Sequence, residues 1–115
     1  MQFKLIMAFV KPSVTDDVVD AMKEAGATGA TIIPARGTGI HEAKSFFGLS
    51  IEDQTDIIVF LVEEHVVEDL MKVMQLAGKF DKPGTGIAFV LPVEHIAGLE
   101  SQMKKFKDQA RDQYF

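Results

Sequence analysis

The chain has 115 residues, 47% apolar and 25% charged, with 12 Lys and Arg against 17 Asp and Glu for a formal net charge of −5. That length suits one domain with a single core, and the acidic balance disfavours binding that rests on neutralising nucleic-acid phosphates. The absence of cysteine removes disulfides, thiolate metal sites and cysteine nucleophiles. No apolar run approaches the ~18 residues of a membrane span, and residues 5–10 are too short an apolar run for a signal peptide before Lys11-Pro12 ends it. A soluble cytoplasmic protein without membrane insertion is the expectation.

Residues 3–10 read as a strand closed by Pro12. Ser13 or Thr15 is placed to cap a helix whose first turn carries Asp16 and Asp17. Val18, Ala21, Met22 and Ala25 recur at helical spacing until Gly26. Residues 30–35 make a second strand, 37–53 a long loop with little periodicity, and 56–62 a third strand. Residues 64–77 read as a helix with Val67, Leu70, Met71, Met74 and Ala77 on one face, ended by Gly78. A second loop over 79–86 leads into a fourth strand, 87–91. This β-α-β-β-α-β order predicts an α+β, ferredoxin-like fold: a four-stranded antiparallel sheet with two helices on one face. The domain is expected over 1–99. A tail over 100–115 carries a thin stripe of Met103, Phe106, Ala110 and Tyr114 among Lys104, Lys105, Lys107, Asp108, Arg111 and Asp112. A solvated terminus and a partner-binding helix are both consistent with it.

Residues 5–10 and 57–62 are apolar without alternation, so both faces of those strands must be covered. Two helices cover only one face of a four-stranded sheet. A second copy of the chain is the simplest cover for the other, which predicts a homo-oligomer with its sheets turned inward.

Two Gly-Thr-Gly tripeptides, Gly37-Thr38-Gly39 and Gly84-Thr85-Gly86, sit at strand ends. Such loops let a ligand approach the backbone closely and form one cradle if the fold joins them; taken singly they read first as turn and bulge glycines. The loop 37–53 exceeds the ~12 residues typical of a non-functional connection. It carries His41, Glu42 and Lys44 after Arg36, then adjacent Phe46 and Phe47 beside Gly48. The two aromatics suit an anchor for a partner surface, or fold back on the sheet. His41 and Glu42, with Glu52 or Asp53, are the nearest approach to a metal set, but adjacent residues rarely chelate together and no His-x-x-x-His occurs, so no metal is expected. His65 and His95 read as surface residues. Lys11, Arg36, Lys79 and Lys82 are placed to meet an anion beside the glycine loops. There is no Walker A sequence, no dinucleotide fingerprint, no serine elbow and no carboxylate pair. The strands offer no buried polar candidates, and the expectation is a protein that is not an enzyme.

Taken together, the chain resembles the PII signal-transduction family, the nitrogen regulatory protein P-II superfamily. The matching pieces are Val10-Lys11-Pro12, Asp16-Asp17-Val18, Gly29-Ala30-Thr31-Ile32 running to Arg36-Gly37-Thr38-Gly39, and Pro83-Gly84-Thr85-Gly86 leading to Ile87-Ala88-Phe89-Val90. They span residues 1–99. The resemblance implies a trimer with sheets facing its axis, and adenine nucleotide bound in clefts between subunits. One cleft wall would be Arg36 to His41 (Arg36, Gly37, Thr38, Gly39, Ile40, His41), with Thr31 near the adenine. The other would be the B-loop, Lys82, Gly84, Thr85 and Gly86. Residues 40–53 would be the T-loop, with Glu42, Lys44, Phe46 and Phe47 meeting a target membrane transporter or metabolic enzyme. The chain departs from the family pattern at Ile40, His41, Thr85, Ile87, Gly98 and Glu100, where residues that grip phosphate are replaced. The loop is also about five residues shorter and lacks tyrosine, which excludes uridylylation there. ADP, AMP and ATP are the candidate effectors. CutA-like and ACT-like small-molecule or metal-binding oligomers share the fold class and are the alternatives.

Overall fold

The structure, a computed structural model, describes residues 2–36, 54–82 and 85–99, together with the backbone of 45–46 and 49–50. Its elements are β1 (Phe3–Val10), α1 (Pro12–Glu24), β2 (Thr31–Arg36), β3 (Ser45–Phe46), β4 (Leu49–Ser50), β5 (Gln54–Glu63), a 3-10 turn (Glu64–Val66), α2 (Val67–Ala77) and β6 (Gly86–Pro92). The main sheet runs β2-β5-β1-β6 with antiparallel neighbours. This is the ferredoxin-like α+β arrangement that the order of elements predicts.

Register assigns the faces. Ile6 stands opposite Phe60 and Val90, and Ala8 opposite Ile58 and Ala88. These side chains meet the helices, and Ile6, Ala8, Val10, Ile58 and Phe60 are fully buried with Val18, Met22 and Met74. The alternate residues lie on the other face: Leu5, Met7 and Phe9 on β1, Ile57, Val59 and Leu61 on β5, Ile87, Phe89 and Leu91 on β6, Thr31, Ile33 and Ala35 on β2. No helix covers them. The Phe9 and Phe89 rings stack there with centroids 5.8 Å apart, and at the sheet's two edges Ile33 and Leu91 are 45% and 39% exposed.

Several local expectations change. Pro12 does not merely close β1; it is the first residue of α1, where its missing N–H is no loss. Lys11 is the N-cap and makes no side-chain cap, so neither Ser13 nor Thr15 caps the helix, and Asp16 and Asp17 fall beyond its first turn. α2 begins at Val67 after the 3-10 turn, which holds His65 with its Nδ1 against the Glu63 carboxylate. The span 37–53 is not loop throughout, because β3 and β4 pair within it, Phe46 opposite Leu49.

Both helices end in the same motif. After α1, the Gly26 N–H donates to the Lys23 carbonyl and the Ala27 N–H to the Met22 carbonyl, with Gly26 at φ 111°. This is a Schellman cap, whose left-handed residue favours glycine. Gly26→Ala is expected to destabilise the fold by about 1–2 kcal/mol, read as a lower urea midpoint at fixed protein concentration; an unchanged midpoint would contradict the cap. After α2 the Lys79 and Phe80 N–H groups repeat the pattern to Leu76 and Gln75, but the left-handed residue is Lys79, at φ 57°. Gly78 precedes it at an ordinary φ of −84°. Gly78 serves a different need: a Cβ there would overlap the Phe80 ring.

Candidate functional site

The two glycine tripeptides follow or open strands at the same end of the sheet. Val10 ends β1 between Asp56 on β5 and Gly86 on β6, and Arg36 ends β2 opposite Gln54. β2 and β6 are nevertheless the two outer strands, three strand spacings or about 14 Å apart. Within one chain the described residues that flank the two tripeptides, Arg36 and Gly86, therefore stand at opposite edges of the sheet.

The second loop is tied down by its own threonine. The Thr85 hydroxyl lies 2.5 Å from the Lys79 carbonyl and 2.9 Å from the Lys82 carbonyl, its single proton serving both acceptors. The Lys82 N–H donates back to the Lys79 carbonyl at 3.0 Å. From the other side, the Lys11 N–H donates to the Thr85 carbonyl at 3.2 Å, joining the loop to the β1–α1 junction. Thr85 thus holds the loop's shape, and the exposed Lys82 side chain is the loop's cationic reach.

Beside this junction lies a polar pair that the sequence reading missed. The buried Thr15 hydroxyl donates to an Asp56 carboxylate oxygen at 2.6 Å, across 41 residues of chain. Thr55, next along β5, is 8% exposed. The strands therefore do carry buried and half-buried polar groups, contrary to expectation. Thr15 turns from the role of helix cap to a tie between α1 and the sheet because α1 starts three residues earlier, placing it on the inward face. Its spacing from Val18 and Val19 was the available signal.

Between the C-terminal half of α2 and the start of β6 is an open depression of about 860 Å³, lined by Lys72, Gln75, Leu76, Phe80, Asp81, Gly86, Ile87 and Ala88. Phe80 is its floor. A Cβ on Gly86, as on Gly78, would run into that ring. An apolar residue inside the polar run Lys79-Phe80-Asp81-Lys82 was the sequence signal for this packing.

Of the predicted site residues, Arg36, Lys82, Thr85 and Gly86 share this end of the sheet. Thr31 does not: it starts β2 opposite Val59, five residues and about 17 Å along the strand from Arg36, exposed on the uncovered face. Gly37, Thr38, Gly39, Ile40, His41, Glu42, Lys44, Phe47 and Gly84 lie outside the described residues, and Phe46 is described through its backbone alone. Among the described residues no group of His, Asp and Glu could hold a metal ion, and no helix is long and apolar enough to cross a membrane.

Comparison with known proteins is consistent along the chain. A family model described as nitrogen regulatory protein P-II matches residues 3–102. The nitrogen regulatory protein P-II of Azospirillum brasilense is 29% identical over 106 residues, covering 88% of this chain and 95% of that protein. The nitrogen regulatory protein GlnK2 of Haloferax mediterranei is 30% identical over 97 residues, covering 80% and 79%. Among solved structures, the crystal structure of Arabidopsis thaliana PII bound to citrate superposes with a TM-score of 0.65 at 25% identity, over 81% of this chain and 78% of that one.

Proposed function

Because the chain belongs to the P-II family of nitrogen regulatory proteins, we propose that it acts as a homotrimeric sensor that binds a small anionic effector, an adenine nucleotide first, between subunits and regulates a partner through residues 40–53. The observation that carries this reading is the pairing of an uncovered apolar sheet face with Arg36 and Gly86, which flank the two glycine tripeptides, at opposite edges of one sheet end. Closing three sheets face to face buries Leu5, Met7, Phe9, Val59 and Phe89. The same rotation sets the β2 edge of one chain near the β6 edge of the next. Gly37 to His41 of one protomer then approaches Lys82 to Gly86 of another, and the cradle is completed by assembly.

The chemistry of the cleft favours a compact anion. Arg36 and Lys82 supply charge, while the Thr85 hydroxyl is already committed to loop carbonyls, leaving backbone N–H groups of the glycine loops as donors. Ile40, Ile87 and Glu100 supply no further cation, so ADP or AMP fits better than a fully charged ATP. The Arabidopsis relative's citrate, a small polyanion, supports the same class. An effector that prefers one arrangement of the T-loop would shift its population, and Glu42, Lys44, Phe46 and Phe47 would meet a transporter or a metabolic enzyme. The role is regulatory rather than enzymatic.

A thermal-shift panel of ADP, AMP, ATP and citrate on the purified oligomer tests the reading. One nucleotide is expected to raise Tm, by up to ~2.7 kcal/mol of stabilisation at a hundredfold excess over Kd, and Gly37→Val is expected to abolish the shift at unchanged oligomer mass. No shift with any of the four ligands would refute an anion-sensing cleft.

A further inference from the structure

The Lys82 backbone is pinned on both of its polar groups. Its N–H donates to the Lys79 carbonyl at 3.0 Å. Its carbonyl accepts from the Thr85 hydroxyl at 2.9 Å and from the Thr85 N–H at 3.4 Å. The same hydroxyl lies 2.5 Å from the Lys79 carbonyl, so Lys79, Lys82 and Thr85 close a ring of hydrogen bonds. The ring is anchored at both ends. Lys79 is the left-handed residue of the α2 cap, at φ 57°, a conformation unfavourable to a residue with a Cβ. The Thr85 carbonyl accepts the Lys11 N–H at 3.2 Å, at the start of α1.

The placement of a cation depends on this ring. The Lys79, Asp81 and Lys82 side chains are all exposed, so the backbone alone sets where each one starts. For Lys79 that start is set by the helix cap, whose hydrogen bonds run to Leu76 and Gln75 without Thr85. Lys82 lies three residues beyond the cap, and its start is set by the ring. A lysine on a fixed backbone loses less freedom on meeting an anion than one on a loose backbone.

We propose that Thr85 is a positioning residue: its hydroxyl, without touching the effector, presets Lys82 for an anion by drawing the Lys79 and Lys82 carbonyls together. The proposal rests on the anion-sensing reading above and adds a dependence of effector affinity on a hydroxyl that the effector does not meet. The Thr85 methyl has no part in it, so serine suffices at this position.

Thr85→Val keeps the shape of the side chain and removes the donor, whereas Thr85→Ser keeps the donor. In the full chain without ligand, NMR-detected exchange of the Lys82 and Lys11 amides is expected to quicken about fivefold in Thr85→Val, the equivalent of one net hydrogen bond, and to match the parent in Thr85→Ser. Calorimetric titration uses whichever of ADP, AMP, ATP and citrate binds the parent tightest. Thr85→Val is expected to weaken its Kd about fivefold, and Thr85→Ser to restore it. Lys82→Ala is expected to weaken Kd in the parent and to add less than about twofold in the Thr85→Val background, because the two act as one unit. Unchanged amide exchange in Thr85→Val would overturn the ring, with or without ligand. Faster exchange at an unchanged Kd, or losses from Thr85→Val and Lys82→Ala that multiply in full, would overturn the positioning role and leave the anion cleft standing. A parent that binds none of the four ligands would overturn the cleft and the positioning role together.

Discussion

Met7→Asp is expected to turn the assembly into free protomers. Met7 is in the middle of β1 on the uncovered face, opposite Val59 on one side and Phe89 on the other, with the Phe9–Phe89 stack one step along. In a trimer closed on this face the substitution brings three carboxylates toward one axis. Each would lose its water without gaining a partner, a penalty of several kcal/mol per ion. The helix-facing core, built on Ile6 and Ala8, is not touched. Light scattering should therefore fall from three times the 12.7 kDa chain mass to one, with secondary structure retained. A variant that keeps the parent mass would show that the face is not the interface.

The second large effect is on the fold itself. Among the described residues Phe60 is the largest fully buried side chain, at 0% exposure on the central strand β5, packed beneath the helices and opposite Ile6. Phe60→Ala removes a ring and leaves a cavity between sheet and helices, at a typical loss of about 3–5 kcal/mol. Against a usual total of roughly 5–15 kcal/mol, that is enough to leave a sizeable unfolded fraction at moderate urea. Urea unfolding followed by circular dichroism checks it, and a loss below about 1 kcal/mol would mean that the two layers collapse around the gap. The two substitutions separate the sheet's faces: Phe60→Ala tests the side that packs against the helices, and Met7→Asp tests the side proposed to join protomers.

The sequence disclosed the sheet through the same double-sidedness. Runs such as 57–62 are apolar at every position because Ile58 and Phe60 face helices while Ile57, Val59 and Leu61 face outward. What it concealed were boundaries set by pairing. Gln54 and Thr55 look like loop, yet they extend β5 because Arg36 and Ala35 lie opposite them. Composition also hid the β3–β4 pair, where two residues per strand are too few for any period; Phe47-Gly48, a two-residue connection ending in glycine, was the only hint. Glycine spacing singled out Arg36 and Lys82 to Gly86 as strand-end residues, and Arg36, Lys82, Thr85 and Gly86 do lie at one end of the sheet. The Thr15–Asp56 hydrogen bond was not legible, since it joins residues 41 apart that only the crossover of α1 brings together.

The Phe80 ring adds a constraint on how this family member can vary. Hydrogen is the only substituent at positions 78 and 86 that leaves the ring its place, so these three positions form one unit although two lie on opposite sides of a loop. Enlarging either glycine demands a smaller residue at 80; that change frees position 86, while at 78 a Cβ would still stand 3.1 Å from the Met74 carbonyl oxygen. Position 79, held left-handed between them, is under a separate, purely conformational demand. The end of α2 and the start of β6 are therefore coupled in inheritance through one aromatic side chain, and a swap of this loop between relatives would have to carry residues 78 to 86 as a block.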